Sequence, residues 1–254
     1  MSIFNEKSPY SPNSPCLTWR TEGPDFYSFY ELGAGFLAQS LLTLELIIHD
    51  KNTDNEADRL IFPIMFSLWH GIELLLKSGL HICNDIRCEK CKDTNENCGE
   101  SCKKYKKLPN THELEELFNS FSEKLRELGL TAAISDLSQL QELIDDFKKH
   151  GVRFDAFRYP TDPKREPQFY NEPTKADTYI FLELLQVKIF LIVKTLPPII
   201  KFIEDTLTGN GQSIIGLNDD KYNEYKKQVE HNNGKGTANV KDKFKSLMRF
   251  LRRL

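Results

Sequence analysis

Apolar positions recur every three or four residues through most of the chain and nowhere alternate over a strand's length, so the pattern predicts helices. "DFYSFYELGAGFLAQSLLTLELII" reads as a first helix, with Asp25 placed to cap it. "NTDNEA" is a polar turn, and a second helix follows from about Glu56 to Leu80. "THELEELFNSFSEKLRELG" restarts the period, with Thr111 as the expected N-cap and Gly129 as the stop. "SDLSQLQELIDDFKKHG" gives a fourth helix ending at Gly151. A proline- and aromatic-rich stretch, "VRFDAFRYPTDPKREPQFYNEPTKA", reads as an ordered loop. A long helix from about Asp177 to Thr206, kinked near Pro197, closes the body. The expected fold class is therefore all-α, a helical bundle over residues 25–206. Before it lies an irregular arm, residues 1–24, with no helical period. After it, residues 207–254 hold a linker and two short amphipathic helices separated by "HNNGKGT".

The second helix carries an anomaly. In "FPIMFSLWHGIELLLKSGL", His70, Glu73 and Lys77 fall within a sector of roughly 60° on the helix surface. Phe62, Phe66, Trp69, Leu74 and Leu76 surround that sector, so it is not a solvent face. Glu73 precedes Lys77 by four residues, the favourable order for an intrahelical ion pair. A buried charge without a partner costs several kcal/mol, so complementary groups are expected elsewhere. Two stand out. His112 opens "THELEELF", and Arg158 sits between Phe157 and Tyr159 ahead of Pro160. The guanidinium of Arg158 has the planar fork to engage Glu73 and still reach an anion.

The ordered set "LWHGIELLLKSGL", "THELEELF" and "FRYP" before a long last helix resembles bacterial members of the HEPN superfamily (higher eukaryotes and prokaryotes nucleotide-binding), in particular uncharacterised and abortive-infection-like ones. The resemblance covers roughly residues 27–206, interrupted by a cysteine-rich segment. It implies a HEPN-like bundle, commonly homodimeric, with a polar site on inward or interface-facing helices. It also implies a role in phage defence or a toxin–antitoxin module, as a ribonuclease or as a binder of RNA, nucleotide or a partner protein of a defence operon. Catalytic members carry an arginine followed by four to six residues and then a histidine, and no histidine of this chain has an arginine at that spacing. On this reading His70, Glu73, Lys77, His112 and Arg158 form the candidate catalytic set. Cleavage of RNA without a metal needs a base for the 2′-hydroxyl, an acid for the leaving oxygen and a cation for the phosphorane. His70 or His112 suits the first two roles, and Arg158 and Lys77 the third. The same residues also suit a purely structural polar network that fixes helix register.

The cysteine-rich segment, from His81 to about Pro109, predicts an insertion held by metal. Its spacing is Cys83-x4-Cys88-x2-Cys91-x6-Cys98-x3-Cys102, two close pairs of the kind a tetrahedral thiolate zinc site uses. Cys88, Cys91, Cys98 and Cys102 are the expected ligands of a structural zinc, with Cys83 or His81 as alternatives. The segment has few apolar residues of its own, which makes a metal its natural staple.

Composition changes the picture only locally. The net charge is −3, yet residues 221–254 hold ten Lys/Arg against three Asp/Glu. Within that region "VKDKFKSLMRFLRRL" is a cationic amphipathic segment suited to packing on the bundle, RNA, an anionic surface or an acidic groove. No apolar secretory core follows Met1, and "YIFLELLQVKIFLIVKTLPPII" is interrupted by Glu183, Gln186, Lys188 and Lys194. The chain is therefore expected to be cytoplasmic, without a transmembrane span. "GNGQS" lacks the lysine and strand of a phosphate loop, and no His-Glu-x-x-His or Ser-His-Asp arrangement is present.

Overall fold

In the computed structural model, residues 25–53, 55–93, 109–152, 157, 180–208 and 218–233 are described. These form helices α1 (Asp25–His49), α2 (Glu56–Asp93), α3 (Leu114–Glu127), α4 (Thr131–Asp136), α5 (Ser138–Lys149), α6 (Leu182–Thr208) and α7 (Asp219–Asn233), with no strand among the described residues. The all-α expectation holds. The arm 1–24 and the cationic segment from Val240 lie outside the described residues.

The centre of the body is an antiparallel pair, α1 against α2. Phe29 stacks on His81 near one end, and the Ser40 hydroxyl donates to the Ile64 carbonyl (2.9 Å) near the other. Between them the backbones nearly touch. A Cβ on Gly71 would sit 3.0 Å from the Gly33 carbonyl oxygen, and one on Gly33 would meet the Gly71 carbonyl oxygen at 2.9 Å. Small residues at this crossing set the depth of α2, and with it the position of its polar stripe. Leu37, Leu41, Leu44, Leu68, Ile72 and Leu75 fill the seam and are essentially inaccessible. The turn between the helices uses left-handed backbone at Lys51, Asn52 and Asn55, and the Asn52 side chain accepts the Ala57 N–H (2.8 Å) at the start of α2.

Helices α3 and α5 lie over the α2 side of this pair. Phe121 of α3 packs against Gly79, where a Cβ would meet its ring at 2.6 Å. Trp69 of α2 packs against Phe147 of α5 and Phe157. Gly129 and Gly151 end α3 and α5 with positive φ, and each closes the same pair of backbone bonds, Leu130 N–H to Leu125 C=O and Val152 N–H to Phe147 C=O among them. α6 packs on α1 and α2 through Ile189, Ile192, Val193 and Leu196. α7 is held by polar clasps to α4: Asp219 accepts the Ala132 N–H and the Thr131 hydroxyl, and Tyr222 and Lys226 both bond Asp136.

Four boundaries differ from expectation. α2 does not stop at Leu80 but continues to Asp93, so Cys88 and Cys91 lie on helix and not on a short loop. Nothing punctuates the helix there, since "HICNDIRCEKCKD" contains neither Gly nor Pro. The expected fourth helix is two, divided at Leu137. Thr111 does not cap α3. Its hydroxyl accepts the Glu113 N–H (3.1 Å) in a local turn, and Glu113 stands at the N-cap. The last long helix begins at Leu182, with Pro197 and Pro198 inside it.

Candidate functional site

The midpoint of α2 places Glu73 on the face that α3 covers, and its carboxylate is 2% exposed. An isolated carboxylate there would be expelled or protonated, so its neighbours decide its state. Lys77, one turn on, donates to Oε1 at 2.7 Å. His112 reaches the same oxygen through Nδ1 at 2.9 Å, and His70, one turn back, approaches Oε2 through Nδ1 at 3.4 Å. Burial alone would raise the Glu73 pKa. Hydrogen bonds from His70, Lys77 and His112, with the charge of Lys77, outweigh it and bring the pKa down to about 2.

That ionisation fixes the imidazoles. A carboxylate only accepts, so each Nδ1 that bonds to Glu73 must carry the hydrogen. In a neutral ring the remaining lone pair is then on Nε2, the nitrogen directed away from Glu73. One buried anion thus sets the tautomer of two histidines. The chemistry such a pair can perform is proton transfer at two nearby points of a substrate.

The His70 ring is also held from its other sides, and His112 is held through its backbone. The His70 ring lies parallel to Phe66 (5.7 Å between centroids) and takes Phe36 of α1 on its edge (4.9 Å). His112 precedes α3, and its carbonyl accepts the Trp69 indole N–H at 3.2 Å. Trp69, Phe147 and Phe157 form a buried aromatic wall beneath this backbone. His112 is 57% exposed and His70 28%, so the site opens from a closed carboxylate outward through its imidazoles.

Four of the five polar residues singled out in the sequence therefore meet at one point: His70, Glu73, Lys77 and His112. Arg158 lies outside the described residues, as do Cys98 and Cys102 and the side chains of Cys88 and Cys91. Cys83, the alternative ligand, is 3% exposed and faces the core from α2, and burial pushes its thiol up to about 12. No cluster of three His, Cys, Asp or Glu groups able to hold a metal occurs among the described residues. Sequence reasoning also passed over Trp69, whose N–H anchors the His112 backbone, and the acidic groove beside it. Glu113, Glu115, Glu116 and Glu123, with Asn119 and Ser120, line an open depression along α3. The signal was present in "HELEELFNSFSEK", where these glutamates share the face away from Leu114, Leu117 and Phe121.

Two helical segments, Ser28–His49 and Glu56–Asp85, are long and apolar enough to cross a membrane by length and composition. The second contains His70, Glu73 and Lys77 of the cluster but not His112, and each is in part buried by the other helices. No family model matches the chain, and neither the curated proteins nor the solved structures contain a match.

Proposed function

We propose that the protein is a HEPN-like effector of a bacterial phage-defence or toxin–antitoxin module that binds RNA in the cytoplasm and cleaves it without a metal. The observation that supports this reading most is the single carboxylate serving two imidazoles, one of them half open to solvent. In this scheme His112, the more exposed ring, takes the 2′-hydroxyl proton at Nε2. The freed oxygen attacks the adjacent phosphorus, Lys77 offsets the growing charge, and His70, entering as the imidazolium with a hydrogen on each ring nitrogen, protonates the departing 5′-oxygen from Nε2. The products are a 2′,3′-cyclic phosphate and a 5′-hydroxyl. Glu73 does not touch substrate; it orients both rings and the lysine. The resemblance in "LWHGIELLLKSGL" and "THELEELF" supplies the choice of RNA. In the same proposal Cys88, Cys91, Cys98 and Cys102 bind one structural zinc per chain.

The test uses full-length protein with total tRNA in EDTA. Discrete fragments with cyclic-phosphate ends are expected, abolished in His112→Ala while its circular dichroism is unchanged. RNA left intact overturns the proposal.

A second reading draws on the acidic groove. Glu113, Glu115, Glu116 and Glu123 line a depression along α3, the helix that His112 precedes, and their charge repels a polyanion while it suits a basic protein segment. Here the cluster is a structural clamp in a non-catalytic regulatory module. Intact RNA, together with binding of a basic peptide lost in Glu116→Lys, selects this alternative.

A further inference from the structure

Among the described residues, five of the seven large apolar side chains that remain exposed gather at the start of α6, the others being Leu46 and Phe62. Phe181 is 75% exposed, Leu184 54%, Val187 52% and Phe190 37%, with Ile180 beside them at 40%. The helical period sorts them. Leu185, Ile189, Ile192, Val193 and Leu196 face the core, while Leu184, Val187, Phe190 and Leu191 fall in a sector of roughly 120° on the opposite side. That outward stripe is bounded by charge at both ends: Glu183 at its N-terminal end and Lys194 at its C-terminal end, both exposed. Lys194 rests its ammonium over the Phe190 ring at 4.6 Å.

We propose that this stripe is a self-association surface, paired with the same stripe of a second copy in antiparallel fashion about a two-fold axis between Lys188 and Ile189. The numbering carries the argument. An antiparallel pair centred there sets Val187 opposite the partner's Phe190, and the same register sets Glu183 opposite the partner's Lys194. Each contact occurs twice by symmetry. Two apolar layers are therefore closed at each end by an opposite-charge pair, with Leu184 and Leu191 flanking the seam. A parallel pair in register would put Glu183 against Glu183 and Lys194 against Lys194, which like-charge repulsion disfavours. Lys188 does not obstruct this surface, because it turns aside to Glu142 (3.1 Å) and Asp146 (3.8 Å) of α5. One helix face is at the small end of stable interfaces, so the dimer forms and dissociates with concentration and is not obligate. This inference concerns α6 alone and stands independently of the acid/base reading of α2.

The experiment is sedimentation velocity on the full chain across the micromolar range, with three variants. The unaltered chain is expected to pass from monomer to dimer as concentration rises. Glu183→Lys sets lysines against lysines at both ends and weakens association about tenfold, as does Lys194→Glu with glutamates. Combining the two substitutions restores it, an outcome that also shows the fold intact. A monomer at every concentration overturns the proposal. So does a dimer that both single variants leave unchanged, or one that the combined variant fails to recover. Binding of the unaltered chain to anionic vesicles while it stays monomeric in solution assigns the stripe to a lipid surface instead and likewise overturns it.

Discussion

At the middle of α2, ionised side chains face inward; at the start of α6, Leu184, Val187 and Phe190 face outward. The two regions depart from the usual sorting in opposite directions, and the means of repair differs. Glu73 is repaired from within, by donors on its own helix and by His112, 39 residues away in sequence. The α6 stripe is given no such cover by the described helices packed behind it, and the self-association proposed above would supply it.

Substitutions can break each side of that contrast. Glu73→Ala should have the largest effect: it leaves Lys77 and two imidazoles without their shared acceptor, and denaturant titration should show a loss of about 3 kcal/mol. The same carboxylate predicts acid sensitivity. Its folded pKa lies below the ordinary value of 4.5, so its contribution is complete above that pH and disappears as pH falls toward about 2. The decline should be shallower in Glu73→Gln, as followed by thermal unfolding across that window. Gly79→Ala comes next. Its new methyl would meet the fully buried Phe121 ring at 2.6 Å, and a loss of about 1–3 kcal/mol is expected. Trp69→Phe keeps the aromatic wall but removes the donor to the His112 carbonyl, at about 1 kcal/mol. Leu184→Gln should be nearly silent, within about 0.5 kcal/mol when measured on dilute monomer, because the folded chain gains little from a side chain already in water. A large loss there would show that α6 is sheltered within its own chain and would remove the contrast.

Much of the inward side could be read in the sequence, because its cause is local. The spacing of His70, Glu73 and Lys77 fixes their shared face, and the cost of burying charge demands a partner such as His112. Gly129 and Gly151 announced helix ends through the backbone they permit. Other features turn on tertiary packing. Cys83 belongs by spacing to the cysteine series, but the register of α2 against α3 turns it into the core. The extension of α2 to Asp93 was obscured because cysteines and alternating charge resemble an insertion. The α6 stripe was legible as hydrophobic but not as exposed: a helix apolar nearly all round gives no sign of which side its neighbours leave bare. Arg158 remains an expectation of the sequence alone.

The indole of Trp69 joins α2 to the chain just before α3 and lies against rings from α5 and residue 157. The chain's other tryptophan is Trp19, in the N-terminal arm. With Trp19 replaced by phenylalanine, a single intrinsic fluorophore would remain, seated at the backbone that carries His112. Its emission would then signal in real time when a bound molecule tightens or loosens that junction, with no label attached and no knowledge of the ligand required.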